Sequence, residues 1–226
     1  MATLSRPESE RIAGRPVWPE GQKIRFHGNE QTLLQTRFED WQDYHPALLA
    51  ALDAIHRSEA TPFKRRYIAA FGGTKIEAPE RWNVPEATLV ARRAMAFCTT
   101  ALSIASAQLL ESWANIYRDG DYAMPHSHPG ANASLLYIVD PGRDEPAPDD
   151  PLAGLFAIVD PRYAACCETQ KGFVTNPVMP KILPGTMLLF PGWLVHAVNP
   201  HTGPRPRITM TWNIRTTDLP EDDANH

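Results

Sequence analysis

Three histidines stand where they could share one metal ion. His126 and His128 are one residue apart in "YAMPHSHPGA" (122–131). Side chains at i and i+2 of an extended segment point the same way, so two imidazoles can reach one ion from a single strand. His196 follows an apolar, strand-like run and an aromatic turn in "PGTMLLFPGWLVHAVNP". An HxH pair alone is equally explained as a polar loop, and a lone histidine as a packed one. Three from two strands, with an arginine shortly after the last, argue for a metal centre.

The neighbouring strands each carry a polar face. Alternation along "ESWANIYR" (111–118) sets Trp113, Asn115 and Tyr117 against Ser112, Ala114 and Ile116. In the segment that starts at Arg207, Thr209, Thr211 and Asn213 share the arginine's face, opposite Ile208, Met210, Trp212 and Ile214. A solvated sheet edge would account for such a pattern. So would the lining of a site. Trp113 and Trp193, as large aromatics, read as core, with a share in shaping the pocket as the functional alternative.

The elements that would position these residues change period near the middle of the chain. "HPALLAALDAIHRS" (45–58) repeats apolar residues at helical spacing with Pro46 in its first turn. "TPFKRRYIAAF" (61–71) has Thr61 as a candidate cap and Pro62 behind it, and residues 84–110 form a long Ala-rich helical pattern. The basic run 64–67 reads as a solvated face. From Glu111 onward the segments are short, β-branched or aromatic, and punctuated by Gly, Pro and Asp, including "VMPKILP" (178–184). Helices followed by short strands imply an α+β fold. The acidic stretch 140–154 reads as a solvated inter-strand loop, with a lid over a site as its functional alternative.

Composition narrows the class. At 226 residues and 43% hydrophobic, the chain suits one domain, with 1–110 as supporting extension and 111–216 as core. A net charge of −4 argues against nucleic acid as a partner. Three cysteines (Cys98, Cys166, Cys167) with no CxxC pair, a polar N-terminus and no long apolar run imply a reduced, cytoplasmic protein away from membranes.

The ordered set "ESWANIYRDGDYAMPHSHP", "LLYIVD", "PGTMLLFPGWLVHAV" and "RPRITMTWNIR" resembles the bacterial 2-oxoglutarate–Fe(II) oxygenases of largely unassigned substrate, over about 111–215. The resemblance implies a double-stranded β-helix, a jelly-roll barrel with its site in one open end and buttressing N-terminal helices. It implies Fe(II) held by His126, His128 and His196. It also implies 2-oxoglutarate as cosubstrate, its far carboxylate on Arg207 and Thr209, with Asn115, Tyr117 and Asn213 facing the same interior. Arg205, flanked by Pro204 and Pro206, is the competing arginine and reads as a turn residue.

One position departs from the usual pattern. His128 stands where such centres place a carboxylate. Three arrangements follow: all three histidines bind, a carboxylate such as Asp121 replaces one, or one position stays open. The expected activity is oxidation by O2 of a small molecule or an amino-acid or peptide substrate, hydroxylated with release of succinate and CO2. No separate catalytic acid or base is needed. A three-histidine cupin-type enzyme that uses no keto acid, or a non-catalytic ligand-binding barrel, are the rival readings. The helices leave room for a homodimer.

Overall fold

In a computed structural model, the structure describes residues 10–27, 33–58, 64–66, 70–145, 149–159 and 182–216. The N-terminal half contributes β1 (Arg11–Ile12), β2 (Arg15–Pro16), β3 (Arg25–His27), β4 (Leu33–Arg37) and helix α1 (His45–Arg57). There follow β5 (Lys64–Arg66), β6 (Ala70–Phe71), β7 (Thr74–Glu77) and helix α2 (Pro85–Leu102). The C-terminal half contains β8 (Ala107–Tyr117), β9 (Tyr122–His126), β10 (Ala133–Asp140) and β11 (Phe156–Ile158). It closes with β12 (Thr186–Pro191), β13 (His196–Val198) and β14 (Arg207–Thr216).

Two sheets carry the site. The larger has eight strands in the order β3-β4-β12-β10-β14-β8-β7-β5, and the smaller has four in the order β11-β13-β9-β6. All of their pairings are antiparallel. Alternation divides each central strand between two cores. Leu135, Tyr137 and Val139 of β10 join Met210, Trp212 and Ile214 of β14 in a cluster with Leu48, Leu52, Leu89, Val90 and Phe97 of the helices. Leu136 and Ile138 turn the other way and pack with Phe156, Ile158, Leu188, Phe190 and Leu194 between the sheets. Both faces of the large sheet are therefore covered, which explains why β10 is apolar almost throughout.

Helix α1 begins and ends close to its expected bounds. Two other helical expectations fail. Within 61–71 the described residues are strands, β5 pairing with β7 and β6 with β9, and Thr61 and Pro62 lie outside the described residues. Sheet-edge pairing overrides a local helical pattern there. The long helix stops at Leu102, because Ser103 adopts a left-handed conformation (φ 55°) and its N–H caps the last turn. Residues 107–110 instead extend β8, where they meet the end of β14 across a bulge that leaves Leu110 unopposed. In the segment "VMPKILP", 178–181 lie outside the described residues, and Ile182 and Leu183 are not strand. Cys98 is buried and unpaired, while Cys166 and Cys167 lie outside the described residues.

Among the described residues two arginines are fully buried, and they differ sharply. Arg93 on α2 donates from both terminal nitrogens, to the Asp40 carboxylate (2.8 and 2.7 Å), the Tyr44 hydroxyl (3.1 Å) and the Pro16 carbonyl (2.9 Å). Tyr44 and His45 in turn hydrogen-bond Tyr137 from the helix side of the sheet. Arg207 lies on the opposite face of the large sheet, and none of its three guanidinium nitrogens has a hydrogen-bond partner among the described residues. A structural arginine is paired in this way; a bare one calls for a ligand.

Candidate metal centre and its cavity

Sheet register brings the three histidines together. His126 ends β9 directly opposite His196, which starts β13. His128 lies just beyond the strand, held by its backbone N–H to the Gly192 carbonyl (2.8 Å). That approach depends on glycine, since a Cβ at Gly192 would stand 2.1 Å from the Ala131 carbonyl oxygen. One ligand atom from each of His126, His128 and His196 lies within 4.8 Å of the others. Ring centroids are 4.4 Å apart for His126–His196, 5.0 Å for His128–His196 and 5.3 Å for His126–His128.

Hydrogen bonds prepare two of the rings as ligands. His126 Nδ1–H donates to the Met124 carbonyl (2.7 Å) and His196 Nδ1–H to the Leu194 carbonyl (2.9 Å). A carbonyl only accepts, so the proton sits on Nδ1 and each Nε2 keeps its lone pair. Phe156 and Phe190 pack against His196 at 5.1 and 4.9 Å between ring centroids and hold it in place. Burial, with the charge of His126 as a further cause, lowers His196 from 6.5 to about 3. Burial, then the charges of His126 and Lys75, lowers His128 to about 4. Both are neutral at pH 7, as metal ligands must be.

The same burial makes the metal-free fold acid-sensitive. His45, against the helices, is also lowered by burial to about 4. Unfolding releases all three rings to bind protons from pH 6.5 downward, while the folded protein stays unprotonated until pH falls toward 4 and 3. Stability of metal-free protein therefore falls as pH drops below 6.5, each ring contributing up to about 1.4 kcal/mol per pH unit. Urea unfolding at a series of pH values measures this, and a flat profile between pH 6.5 and 5 would refute it.

The histidines open onto a cavity of about 420 Å³, counted to its open mouth, lined also by Trp113, Asn115, Tyr117, Thr209, Thr211 and Arg207. The polar faces of β8 and β14 thus point inward, in register: Tyr117 opposite Arg207, Asn115 opposite Thr209, Trp113 opposite Thr211. Asn115 Oδ1, Thr209 Oγ1 and Trp113 Nε1 are buried and have no partner among the described residues. Arg207 lies 5.8 Å from the Tyr117 ring centre. Burial lowers it to about 10, against the opposing influence of Tyr117, so it stays charged at pH 7. Behind it, a Cβ at Gly154 (φ +67°) would lie 2.9 Å from His201 Nδ1 and 3.5 Å from Arg207 Cδ, so a bare glycine lets the loop close over the arginine.

Several expected roles come out differently. Asn213 does not line the cavity: its Oδ1 accepts from Ser134 Oγ (2.8 Å) and its Nδ2 donates to Glu111 (2.7 Å). Asp121 lies in the turn between β8 and β9, where it accepts the Arg118 N–H (2.7 Å), and is not grouped with the histidines. Trp113 is buried and takes its alternative role of shaping the cavity, whereas Trp193 is 58% exposed, neither core nor cavity lining. Arg205 binds Asp140 and Asp144 at the surface and ties down the start of the acidic loop. Sequence reasoning missed Leu136, Phe156, Phe190 and Val198 as cavity lining. It also missed Lys75, whose ammonium sits 4.1 Å from the Trp113 ring centre.

Residues 111–213 match a protein-family model described as "Putative 2OG-Fe(II) oxygenase". No curated protein matches the chain in sequence. Among solved structures, the chain resembles an oxidoreductase of the 2OG-Fe(II) oxygenase family from Burkholderia pseudomallei at 16% identity, over 82% of this chain and 86% of that one, with a TM-score of 0.54. A prolyl hydroxylase from Trichoplax adhaerens, solved with a hypoxia inducible factor peptide, aligns at 12% identity over 82% and 84%, with a TM-score of 0.56. The carbocyclase SnoK of nogalamycin biosynthesis aligns at 10% over 81% and 79%, with a TM-score of 0.58. At such identities the likeness is one of fold, the double-stranded β-helix. Among the described residues, no helix is long and apolar enough to cross a membrane.

Proposed function

We propose that this chain, whose residues 111–213 match the 2OG-Fe(II) oxygenase family model and carry a three-histidine cluster, oxidises a small-molecule, amino-acid or peptide substrate, hydroxylating it with release of succinate and CO2. The observation that carries this reading is Arg207, a fully buried cation with no hydrogen-bond partner among the described residues, lining the cavity that holds the histidines. A guanidinium matches a carboxylate in shape and charge, and burial strengthens the pair.

The donor set fits the family's cofactors. Three neutral imidazoles suit a divalent transition metal, iron included. When bound, Fe(II) with 2-oxoglutarate supplies the oxidising chemistry, the keto acid giving up CO2 as O2 is reduced. His126, His128 and His196 would hold the metal. Arg207 and Thr209 would hold the far carboxylate of the cosubstrate, with Asn115 and Tyr117 beside them. Because a carboxylate would cancel one unit of metal charge and imidazole cancels none, this centre keeps the full double charge of the ion. Phe156 and Phe190 exclude water from the His196 side.

Anaerobic protein with Fe(II) and 2-oxoglutarate is expected to develop a visible charge-transfer band and to form succinate once oxygen is admitted. Among the described residues the cluster contains histidines alone, which favours one rival, a cupin-type enzyme that uses no keto acid. Metal binding with neither band nor succinate would establish that rival in place of this reading.

A further inference from the structure

Behind Arg207 stands a fourth buried histidine, apart from the metal cluster. His201, in the loop between β13 and β14, is fully buried. Its main chain bonds the turn between β8 and β9 twice, the N–H donating to the Asp121 carbonyl (2.9 Å) and the carbonyl accepting the Gly120 N–H (2.7 Å). Bare backbone encloses its ring. A Cβ at Gly142 or Gly203 would overlap the imidazole, and one at Gly154 would lie 2.9 Å from Nδ1. Gly142 and Gly154 belong to the two ends of the acidic loop. Further bonds hold both ends there, from the Gly154 N–H to the Pro200 carbonyl (2.9 Å) and from the Arg205 N–H to the Gly142 carbonyl (3.1 Å).

The two ring nitrogens are unequal. Nε2 lies 2.8 Å from the Arg205 carbonyl, which only accepts, so Nε2 carries the proton and Nδ1 of the neutral ring keeps its lone pair. Nδ1 is buried with no partner among the described residues, and so is the Nε–H of Arg207. One lacks a donor and the other lacks an acceptor. Both flank the same point, because the Cβ that Gly154 does without would also lie 3.5 Å from Arg207 Cδ, the carbon that carries Nε. An apolar ring would fill this space without burying an unpaired nitrogen, which costs free energy.

We propose that His201 is the positioning residue of Arg207. Its Nδ1 serves as the acceptor toward which the Nε–H is directed, across the gap that Gly154 leaves open. The two terminal nitrogens are then left for one carboxylate, the paired geometry that suits a guanidinium. His201 is not among the residues that line the cavity, so it acts through the arginine. The inference rests on the oxygenase reading above, in which that carboxylate is the far end of 2-oxoglutarate.

Two keto acids of equal chain length test it, 2-oxoglutarate and 2-oxopentanoate, which differ in the far carboxylate. Their affinities for Zn(II)-loaded protein are measured by calorimetric titration. The unaltered protein should prefer 2-oxoglutarate by about a hundredfold. His201→Gln keeps a donor for the Arg205 carbonyl and offers no acceptor at the place of Nδ1. It should weaken 2-oxoglutarate about tenfold, the loss of one hydrogen bond to a charged group, and leave 2-oxopentanoate within about twofold. His201→Asn sets its carbonyl oxygen where Nδ1 stands and gives up the bond to Arg205. It should melt at a lower temperature yet bind 2-oxoglutarate within about threefold of the original. A merely structural histidine gives the opposite order, with glutamine the better replacement. That order, a glutamine variant that binds 2-oxoglutarate undiminished, or an equal loss for both keto acids would overturn the proposal. Where the glutamine variant does not fold, loss of the preference in the asparagine variant overturns it alone. If the unaltered protein shows no preference between the keto acids, the oxygenase reading of Arg207 falls; if it shows one and both variants keep it, only the role of His201 does.

Discussion

Arg207→Met is expected to raise the stability of cosubstrate-free protein and to abolish its response to 2-oxoglutarate. The two effects have opposite sign and one cause. In the free protein a fully buried guanidinium has no hydrogen-bond partner among the described residues, so its charge is a cost that the fold bears. Methionine fills similar space without charge, and the gain should be about 1–3 kcal/mol, a rise of several degrees in Tm for a chain of this size. With cosubstrate, the order reverses. Loss of a buried charge-paired partner costs about 3–5 kcal/mol, so 2-oxoglutarate affinity should fall by two to three orders of magnitude. Thermal scans with and without Zn(II) and 2-oxoglutarate read both effects. Arg205→Met is the control: that arginine is tied to Asp140 and Asp144 at the surface, and its loss should leave cosubstrate affinity unchanged. A free Arg207→Met protein less stable than the original would show that the arginine is structural.

The second large effect is expected at His128. If all three imidazoles hold the ion, His128→Ala should weaken Co(II) or Zn(II) binding about a hundredfold, since structural sites of four ligands contribute roughly 3 kcal/mol per ligand. His128→Asp, which places an anionic oxygen donor at the same position, should recover binding to within about tenfold. The Co(II) visible spectrum should change with it, because the donor set changes. His196→Ala sets the scale, being the most buried of the three ligands. A His128→Ala protein that binds Co(II) as well as the original would reduce His128 to a neighbour of the site.

Much of this centre could be read before any fold was known, because strand alternation is a local property. The faces Trp113–Asn115–Tyr117 and Arg207–Thr209–Thr211 follow from a period of two, and both line the cavity. Which side of the sheet is inside does not follow from that period; the resemblance of the ordered motifs decided it. Asn213 shares the face of Arg207 yet ends up beside Ser134 and Glu111, because a strand runs on past the cavity it lines. Where β8 starts depends on the length of β14, its partner across the bulge, and no window of "LSIASAQLL" contains that information. Lys75 was invisible for the same reason. Its place over the Trp113 ring is set by the pairing of β7 with β8, two segments about forty residues apart.

β8 and β14 write two texts on one pair of strands. Positions 112, 114, 116, 208, 210, 212 and 214 face the helical side, and 113, 115, 117, 207, 209 and 211 face the cavity. Inherited change can therefore revise what this cavity accepts by altering one set, while the other goes on specifying the same barrel. A single insertion in either strand cannot. An insertion in β14, for instance, turns the residues on one side of it to the other face, bringing Arg207 among the helices or Trp212 into the cavity. Substitution is the change this pair of strands tolerates, and insertions belong in the loops.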